Sequence, residues 1–291
     1  MNKVKIISDS SCDLSQELLK EFDIEIIPIY VIFGDKEYID GVEIKTEEIY
    51  KKVEETNMLP KTSAITQFQF EEVFKKWVDL GYDVIFTGIS GKMSRCYQTA
   101  ILAQKEIDPD GNRIFVVDSM NLSTGIGLLL LKAAKDRDNG LDAKTIAKNM
   151  EYNAKRAKVQ FAIERMDYLH NGGRCSSTAK IFGTLLKIKP IIFVRDGAMS
   201  VGMKPLGKMK VALDKMYKML EEDLKKDNVD PEFIFVTDSI APESREYLLP
   251  KVKELCPNSR VLTTIAGGTV SSHCGPGTIG ILYICKEEVH L

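Results

Sequence analysis

The stretch SSHCGPGTIGI, residues 271–281, contains one of only three histidines in the chain. The imidazole of His273 can donate a hydrogen bond, accept one or carry a charge near neutral pH. Gly275 and Gly277 allow a tight turn with backbone close to whatever lies there. These residue types suit a binding site, and they equally suit a structural turn beside a capping histidine. The stretch alone leaves both interpretations open.

Ser94 is a second residue whose type could support chemistry. Together with His273 it could form the nucleophile and base of a hydrolase. The local sequence GKMSR lacks the GxSxG pattern of a nucleophile elbow. The alternative is that Ser94 caps the helix predicted over residues 94–106.

Arg174 follows two glycines in the sequence NGGRCSST. The glycines permit a sharp turn, and the hydroxyl residues Ser176, Ser177 and Thr178 predict a helix start. An arginine beside a helix N-terminus could bind an anion. It could equally be a solvated or ion-paired side chain.

Composition excludes several classes of function. The 40 Lys and Arg nearly balance the 42 Asp and Glu, so the net charge of -2 offers no attraction to nucleic acid. The glycines at 275, 277 and 280 fit GxGxxG, but they run into a predicted strand rather than a helix, which argues against a nicotinamide site. We expect no cofactor and no metal site.

Cysteine usage and hydropathy predict a cytoplasmic protein. The six cysteines form no CxxC pair, which is typical of reduced thiols in a reducing compartment. No signal peptide precedes the first predicted strand, and no apolar run approaches the roughly 20 residues of a membrane span. We therefore expect no membrane span.

Short apolar runs alternate with segments of helical period, which is typical of an α/β protein. We place the domain boundary near residue 157, giving an N-terminal α/β domain at 1–157 and a C-terminal α/β domain at 158–291. Strands are predicted at 3–7, 25–33, 83–87, 114–117, 159–163, 190–194, 233–237, 260–264 and 278–285. Helices are predicted at 15–22, 46–55, 68–80, 94–106, 122–138, 143–156, 207–226, 242–254 and 267–273.

Asp-Ser pairs follow three of the predicted strands, in IISDSS, FVVDSM and FVTDSI. Such side chains cap the following helix by accepting its free N–H groups. Ligands of open α/β sheets bind outside the carboxyl ends of the strands, so a site is also expected among these loops.

Taken in order, these pieces resemble the DegV family of bacterial fatty-acid-binding proteins. The resemblance rests on SDSSCDL, KTSAIT, GISGKMSRCYQTA, VVDSMNLSTGIGLL, YLHNGGRCSSTAKIFGTLLKIKPII, GKMKVALDKM and SSHCGPGTIGI. It implies an N-terminal parallel sheet flanked by helices and a C-terminal mixed-sheet domain, with the ligand between them. It also implies a carrier without catalytic residues, which binds a long-chain fatty acid in an apolar tunnel. The carrier presents the carboxylate to a separate fatty acid kinase, which makes the acyl phosphate.

The resemblance also assigns residues to the site. It implies that the carboxylate is bound at Thr62, Ser63, Ser94, His273 and Gly275. It makes Arg174 a contact near the carboxylate opening or the kinase-docking face. Where the family has Leu-Ser-Gly this chain has Met-Ser-Arg, so Arg95 either points to solvent or binds the anion directly. The rival hypothesis remains a small hydrolase or acyl-processing enzyme that uses Ser94 and His273.

Overall fold

A computed structural model describes residues 2–175 and 188–289, and three sheets organise this part of the chain. The first sheet has four parallel strands in the order β2-β1-β6-β7. Its strands are β1 (Lys3–Asp9), β2 (Ile24–Ile27), β6 (Tyr82–Gly88) and β7 (Ile114–Asp118). Because its strands are parallel, their carboxyl ends meet at one edge, where Asp9 and the loop after Gly88 lie together.

The second sheet has six strands in the order β10-β9-β8-β13-β11-β12 and is mixed, since only β11 and β12 run parallel. Its strands are β8 (Ala157–Ala162), β9 (Ile191–Arg195), β10 (Ala198–Met203), β11 (Val229–Ser239), β12 (Arg260–Ile265) and β13 (Thr278–Cys285). The predicted class, an α/β fold with one parallel and one mixed sheet, is confirmed. The division at residue 157 stays a prediction.

A third, antiparallel sheet was not predicted. It consists of β3 (Tyr30–Phe33), β4 (Lys36–Ile39) and β5 (Lys61–Ser63), with β3 in the centre. The prediction of one strand over 25–33 is wrong, because the chain leaves the first sheet at Pro28, which cannot donate to a ladder. Thr62 and Ser63 lie on β5 of this small sheet.

The helices have bounds close to the predicted ones. They are α1 (Gln16–Glu21), α2 (Thr46–Thr56), α3 (Gln67–Asp79), α4 (Cys96–Ile107), α5 (Thr124–Asp138), α6 (Ala143–Ala154), α7 (Met166–Gly172), α8 (Met209–Lys225), α9 (Pro242–Leu255) and α10 (Gly268–Cys274). Among the α-helices of residues 2–175 and 188–289, α7 is the one that the periodicity missed. The helix start predicted at residues 176–178 lies outside the described residues.

Local sequence explains where several helices begin. Thr66 caps α3, since its hydroxyl accepts from Gln69 N while Thr66 N donates to the Gln69 side chain at 2.9 Å. Asp142 caps α6 by accepting from Thr145 N at 2.9 Å. None of the described helices is long and apolar enough to span a membrane.

Helix α5 lies between the two larger sheets and contacts strands of both. Its apolar run Leu128–Leu131 is buried completely, which makes it a core helix. Helices α3 and α4 cover the other face of the parallel sheet, where Phe70, Phe74 and Phe86 pack together. Helices α8 and α9 cover the outer face of the mixed sheet. The space beside α5, between the sheets, is where a cavity remains.

Candidate functional site

A cavity of about 300 Å³ lies between the parallel and the mixed sheet. Residues of β5, the loop after β6, α7, α10 and the strands β8, β11 and β13 line it. Much of its wall is apolar, with contributions from Ile89, Leu122, Val159, Phe161, Leu169 and Leu282. The volume is at the lower end of the usual range for small-molecule sites.

Thr62 and His273 meet at this cavity although 211 residues separate them in the chain. The Thr62 Oγ1 atom lies 2.9 Å from His273 Nε2, within hydrogen-bond distance. The pairing of Thr62 with Val31 in β3 fixes the threonine, while His273 stands in the last turn of α10. The structure therefore brings together two of the residues to which the family resemblance assigns binding of the fatty acid carboxylate.

The Gly-Pro-Gly sequence follows Cys274, the last residue of α10, and so begins two residues after His273. Gly275 has a φ of 73° and Gly277 a φ of 80°, a region that favours glycine. A Cβ on Gly275 would lie 2.8 Å from the Tyr168 ring. Gly275 is not among the residues that line the cavity, and its place in the fold is the turn that fixes the end of α10.

The imidazole of His273 is neutral at physiological pH. Burial, with a smaller contribution from the positive charge of Arg174, lowers its pKa from 6.5 to about 4. Its Nδ1 atom has no hydrogen-bond partner among the described residues. The ring packs so closely on α7 that a Cβ on Gly172 would lie 2.5 Å from Nδ1.

Ser94 and Arg95 line the same cavity from the turn between β6 and α4. The Ser94 hydroxyl accepts from Cys96 N, the first residue of α4, at 3.3 Å. The N-cap position is Arg95, so the prediction that Ser94 is the N-cap is wrong by one residue. Arg95 is exposed and has no carboxylate partner among the residues described. Within that part of the chain, no hydrogen bond joins Ser94 to His273, whose Nε2 contacts Thr62 instead. A nucleophile and base pair is thus not assembled.

Ser63 and Arg174 complete the predicted set. Ser63 lines the cavity from the end of β5, next to Thr62. Arg174 lines it from the segment after α7, is exposed, and donates to the Gly172 carbonyl at 2.6 Å. Both exposed arginines, Arg95 and Arg174, therefore belong to the cavity lining, and the charge of Arg174 is close enough to His273 to lower the pKa of the histidine.

Three polar residues that line the cavity were not predicted from the sequence. The Asp-Ser pair in FVTDSI indicated only that their loop could take part in a site. Thr237, Asp238 and Ser239 line the cavity from the end of β11. Their hydroxyls are already bonded inside the protein, Thr237 to Thr124 at 2.6 Å and Ser239 to Ser271 at 2.7 Å. The Asp238 carboxylate accepts from Ala241 N at 2.8 Å and is paired with Arg245 at 3.1 Å. The polar groups of this part of the wall are therefore already engaged within the protein.

Comparison with known proteins identifies the chain's relatives. The model of the DegV family, described as uncharacterised protein, matches residues 3–286. The chain belongs to the DegV family. A DegV domain-containing protein of Clostridium perfringens is 35% identical over 286 residues, which are 98% of this chain and 99% of the relative. A second, from Clostridium acetobutylicum, is 33% identical over 98% of this chain and 100% of its own length.

Solved DegV structures share the fold. A fatty-acid-binding DegV family protein from Thermus thermophilus is 26% identical, with a TM-score of 0.89 over 97% of this chain and 99% of that one. A stearic-acid-binding protein from Eubacterium ventriosum is 28% identical, with a TM-score of 0.83 over 97% of this chain and 98% of that one. The resemblance predicted from the seven motifs is confirmed.

Among the described residues, no cluster of three or more His, Cys, Asp or Glu could hold a metal ion.

Proposed function

We propose that this DegV protein binds a long-chain fatty acid in the cavity between its sheets and presents the carboxylate to a fatty acid kinase. The observation that carries the proposal is a mainly apolar cavity in whose lining Thr62 and His273 lie within hydrogen-bond distance of each other. The solved relatives from Thermus thermophilus and Eubacterium ventriosum, which bind fatty acids, add support.

The apolar wall would supply most of the affinity. Each buried methylene contributes about 0.8 kcal/mol before ordering and association costs are subtracted. The hydroxyls of Thr237 and Ser239 in the cavity lining are bonded to Thr124 and Ser271, so they need no hydrogen bond from a ligand. An acyl chain can lie against this surface without breaking these hydrogen bonds.

The polar end would hold the carboxylate with neutral donors. While Thr62 Oγ1 and the neutral His273 Nε2 stay hydrogen-bonded, this pair has one proton left for the carboxylate, on the Thr62 hydroxyl or on Nδ1 according to the tautomer. The Ser94 hydroxyl, which contacts Cys96 Sγ at 3.3 Å, can turn to donate a second hydrogen bond. These donors give the carboxylate hydrogen bonds but no bidentate ion pair with a buried arginine, so less interaction is lost when the carboxylate is transferred. Arg95 and Arg174 are exposed members of the cavity lining, and their charges would attract an anionic head group.

The kinase partnership rests on the family resemblance. A carboxylate beside exposed residues could be reached by a second protein, which the proposal requires. Reconstitution tests it: this chain loaded with fatty acid is mixed with ATP and a bacterial fatty acid kinase. Acyl phosphate is expected only when chain and kinase are both present, and its absence would contradict the partnership.

Denaturing mass spectrometry of organic extracts tests the binding itself. Stoichiometric fatty acid is expected from the wild type, and much less from the double variant Ser94→Ala with His273→Ala. Ser244→Ala on α9, away from the cavity lining, is the control and should retain the lipid. A wild type that stays empty after incubation with fatty acids would overturn the proposal.

The hydrolase alternative shares the cavity but receives less support, because Ser94 is not hydrogen-bonded to His273. The same proteins are assayed with p-nitrophenyl acyl esters. We expect no turnover above background. Turnover that disappears in the double variant would favour the enzyme.

A further inference from the structure

Asp40 is a buried carboxylate that lies outside the cavity lining, just after β4. It is 3% exposed. The residues that it contacts stand at the start of α10, the helix whose last turn carries His273. At 1.5 Å per residue, helix geometry puts His273 about 8 Å along the axis from Gly268. Asp40 is therefore one short helix away from the polar end of the cavity.

Both oxygens of Asp40 accept hydrogen bonds from this helix start. Its Oδ1 atom accepts from Gly268 N at 2.8 Å. Its Oδ2 atom accepts from Thr269 N at 3.0 Å and from the Thr269 hydroxyl at 2.6 Å. The Ser10 hydroxyl adds a fourth donor at 2.8 Å. These bonds satisfy free N–H groups of the first turn and place a negative charge at the positive end of the helix.

The approach is so close that the sequence must have glycine at the contact. A Cβ on Gly268 would lie 2.6 Å from Asp40 Oδ1 and 2.8 Å from Ile49 Cδ1. A second buried carboxylate, Asp13, accepts from the preceding residue, Gly267 N, at 2.8 Å. Two carboxylates from the N-terminal part of the chain thus fix the start of α10.

His273 depends on this anchorage because α10 has only seven residues. A rotation or shift at Gly268 moves the imidazole by a similar amount, since a helix this short moves as one body. The contact of Nε2 with Thr62, which stands on β5, tolerates little such movement.

We propose that Asp40 is a positioning residue for His273, acting through the first turn of α10. This inference rests on the proposed function, because it concerns the residues assigned to the carboxylate. Asn in place of Asp40 supplies one acceptor and one NH₂ donor. In either orientation the amide NH₂ faces an N–H group, of Gly268 or of Thr269, so the start of α10 must move.

Asp108 provides a matched control. It too is a buried carboxylate, 8% exposed, and it accepts from the backbone N–H groups of Arg113 at 2.7 Å and Ile114 at 2.8 Å. It stands between α4 and β7 and does not line the cavity. Asp108→Asn should therefore destabilise the protein in the same manner as Asp40→Asn without reaching His273.

The experiment measures fatty acid affinity and the ¹⁵N signals of the His273 ring in full-length wild type, Asp40→Asn and Asp108→Asn. The probe is stearic acid, and the signals are assigned by their loss in His273→Gln. We expect Asp40→Asn to weaken binding at least tenfold and to shift the ring signals, with Asp108→Asn within twofold of the wild type and its signals unmoved.

Asp40→Asn binding within twofold of the wild type, or Asp108→Asn weakening binding equally, would overturn the proposal. If Asp40→Asn does not fold, Gly268→Ala replaces it, because its methyl group pushes the helix from the same carboxylate. A wild type that binds no fatty acid refutes the proposed function instead. In that case the ¹⁵N signals of the His273 ring still test the positioning role of Asp40. Signals that do not move in Asp40→Asn refute it.

Discussion

Protonation of His273 should remove about 3 kcal/mol from the free energy of unfolding between pH 6.5 and pH 4. Burial lowers the pKa of this histidine from 6.5 to about 4 in the folded protein. Each factor of ten in proton affinity corresponds to about 1.4 kcal/mol, so the difference amounts to about 3 kcal/mol. The unfolded chain binds the proton more tightly, and stability therefore falls as pH drops through this window.

The perturbation that isolates this contribution is His273→Gln. Both proteins contain Asp9, whose pKa burial raises to about 6, and Asp238, whose pKa burial also raises. These acids act in the opposite direction, stabilising the fold as pH falls, but they act equally in both proteins. The difference in stability between wild type and variant therefore reports on His273 alone.

Urea unfolding at pH 7, 5.5 and 4 provides the assay. The wild type should lose about 3 kcal/mol relative to His273→Gln from the first pH to the last. A bound carboxylate beside the ring would raise the histidine pKa, so added fatty acid should reduce this loss. A difference between the two proteins that stays constant over the whole range would refute the idea of a buried, neutral imidazole.

Three further outcomes are expected. Ser94→Ala should weaken fatty acid binding about three- to tenfold in a displacement titration, the value of one hydrogen bond, and unchanged affinity would remove Ser94 from the site. Gly172→Ala should displace the ring of His273, since the added Cβ would lie 2.5 Å from Nδ1. Its fatty acid affinity should fall although alanine favours the α7 helix, and unchanged affinity would contradict the close packing. Iodoacetamide should leave Cys12 and Cys274 of the native protein unmodified, because both are buried and burial raises the pKa of each thiol. Rapid modification of either cysteine, detected by mass spectrometry, would contradict that burial.

Strand periodicity predicted the strands of the two larger sheets except β10, and it merged β2 with β3, because it detects only local signals. Apolar runs such as KVKII and DVIFT need no partner to be recognised as buried parallel strands. The third sheet escaped because β4 and β5 are short and carry Lys36, Glu37 and Lys61, which do not show strand alternation. A sequence pattern could not show that Pro28 sends one apolar run into two sheets.

Only some residues of the site could be predicted from the sequence. Residues in recognisable motifs were found, and residues that act through hydrogen bonds to distant segments were not. No periodicity relates Thr62 to His273, which meet at 2.9 Å across the fold, and only the order of seven motifs suggested them together. Asp40 gave no signal, because a carboxylate that accepts backbone N–H groups from a distant helix resembles any loop aspartate in the sequence. Residues that act through tertiary hydrogen bonds become visible only when the partner segment is in place.

The distribution of charge around the cavity decides how a fatty acid would be held. A buried arginine paired with the carboxylate would give charge-assisted bonds and hold it strongly. The cations here, Arg95 and Arg174, are exposed, where solvent and salt screen them, so their contribution lies in attraction during approach. Under the proposed function the buried contacts are then the neutral groups of Thr62 and His273, and the affinity comes from the apolar wall. Such a division allows tight retention of the chain together with a carboxylate that a second protein can reach.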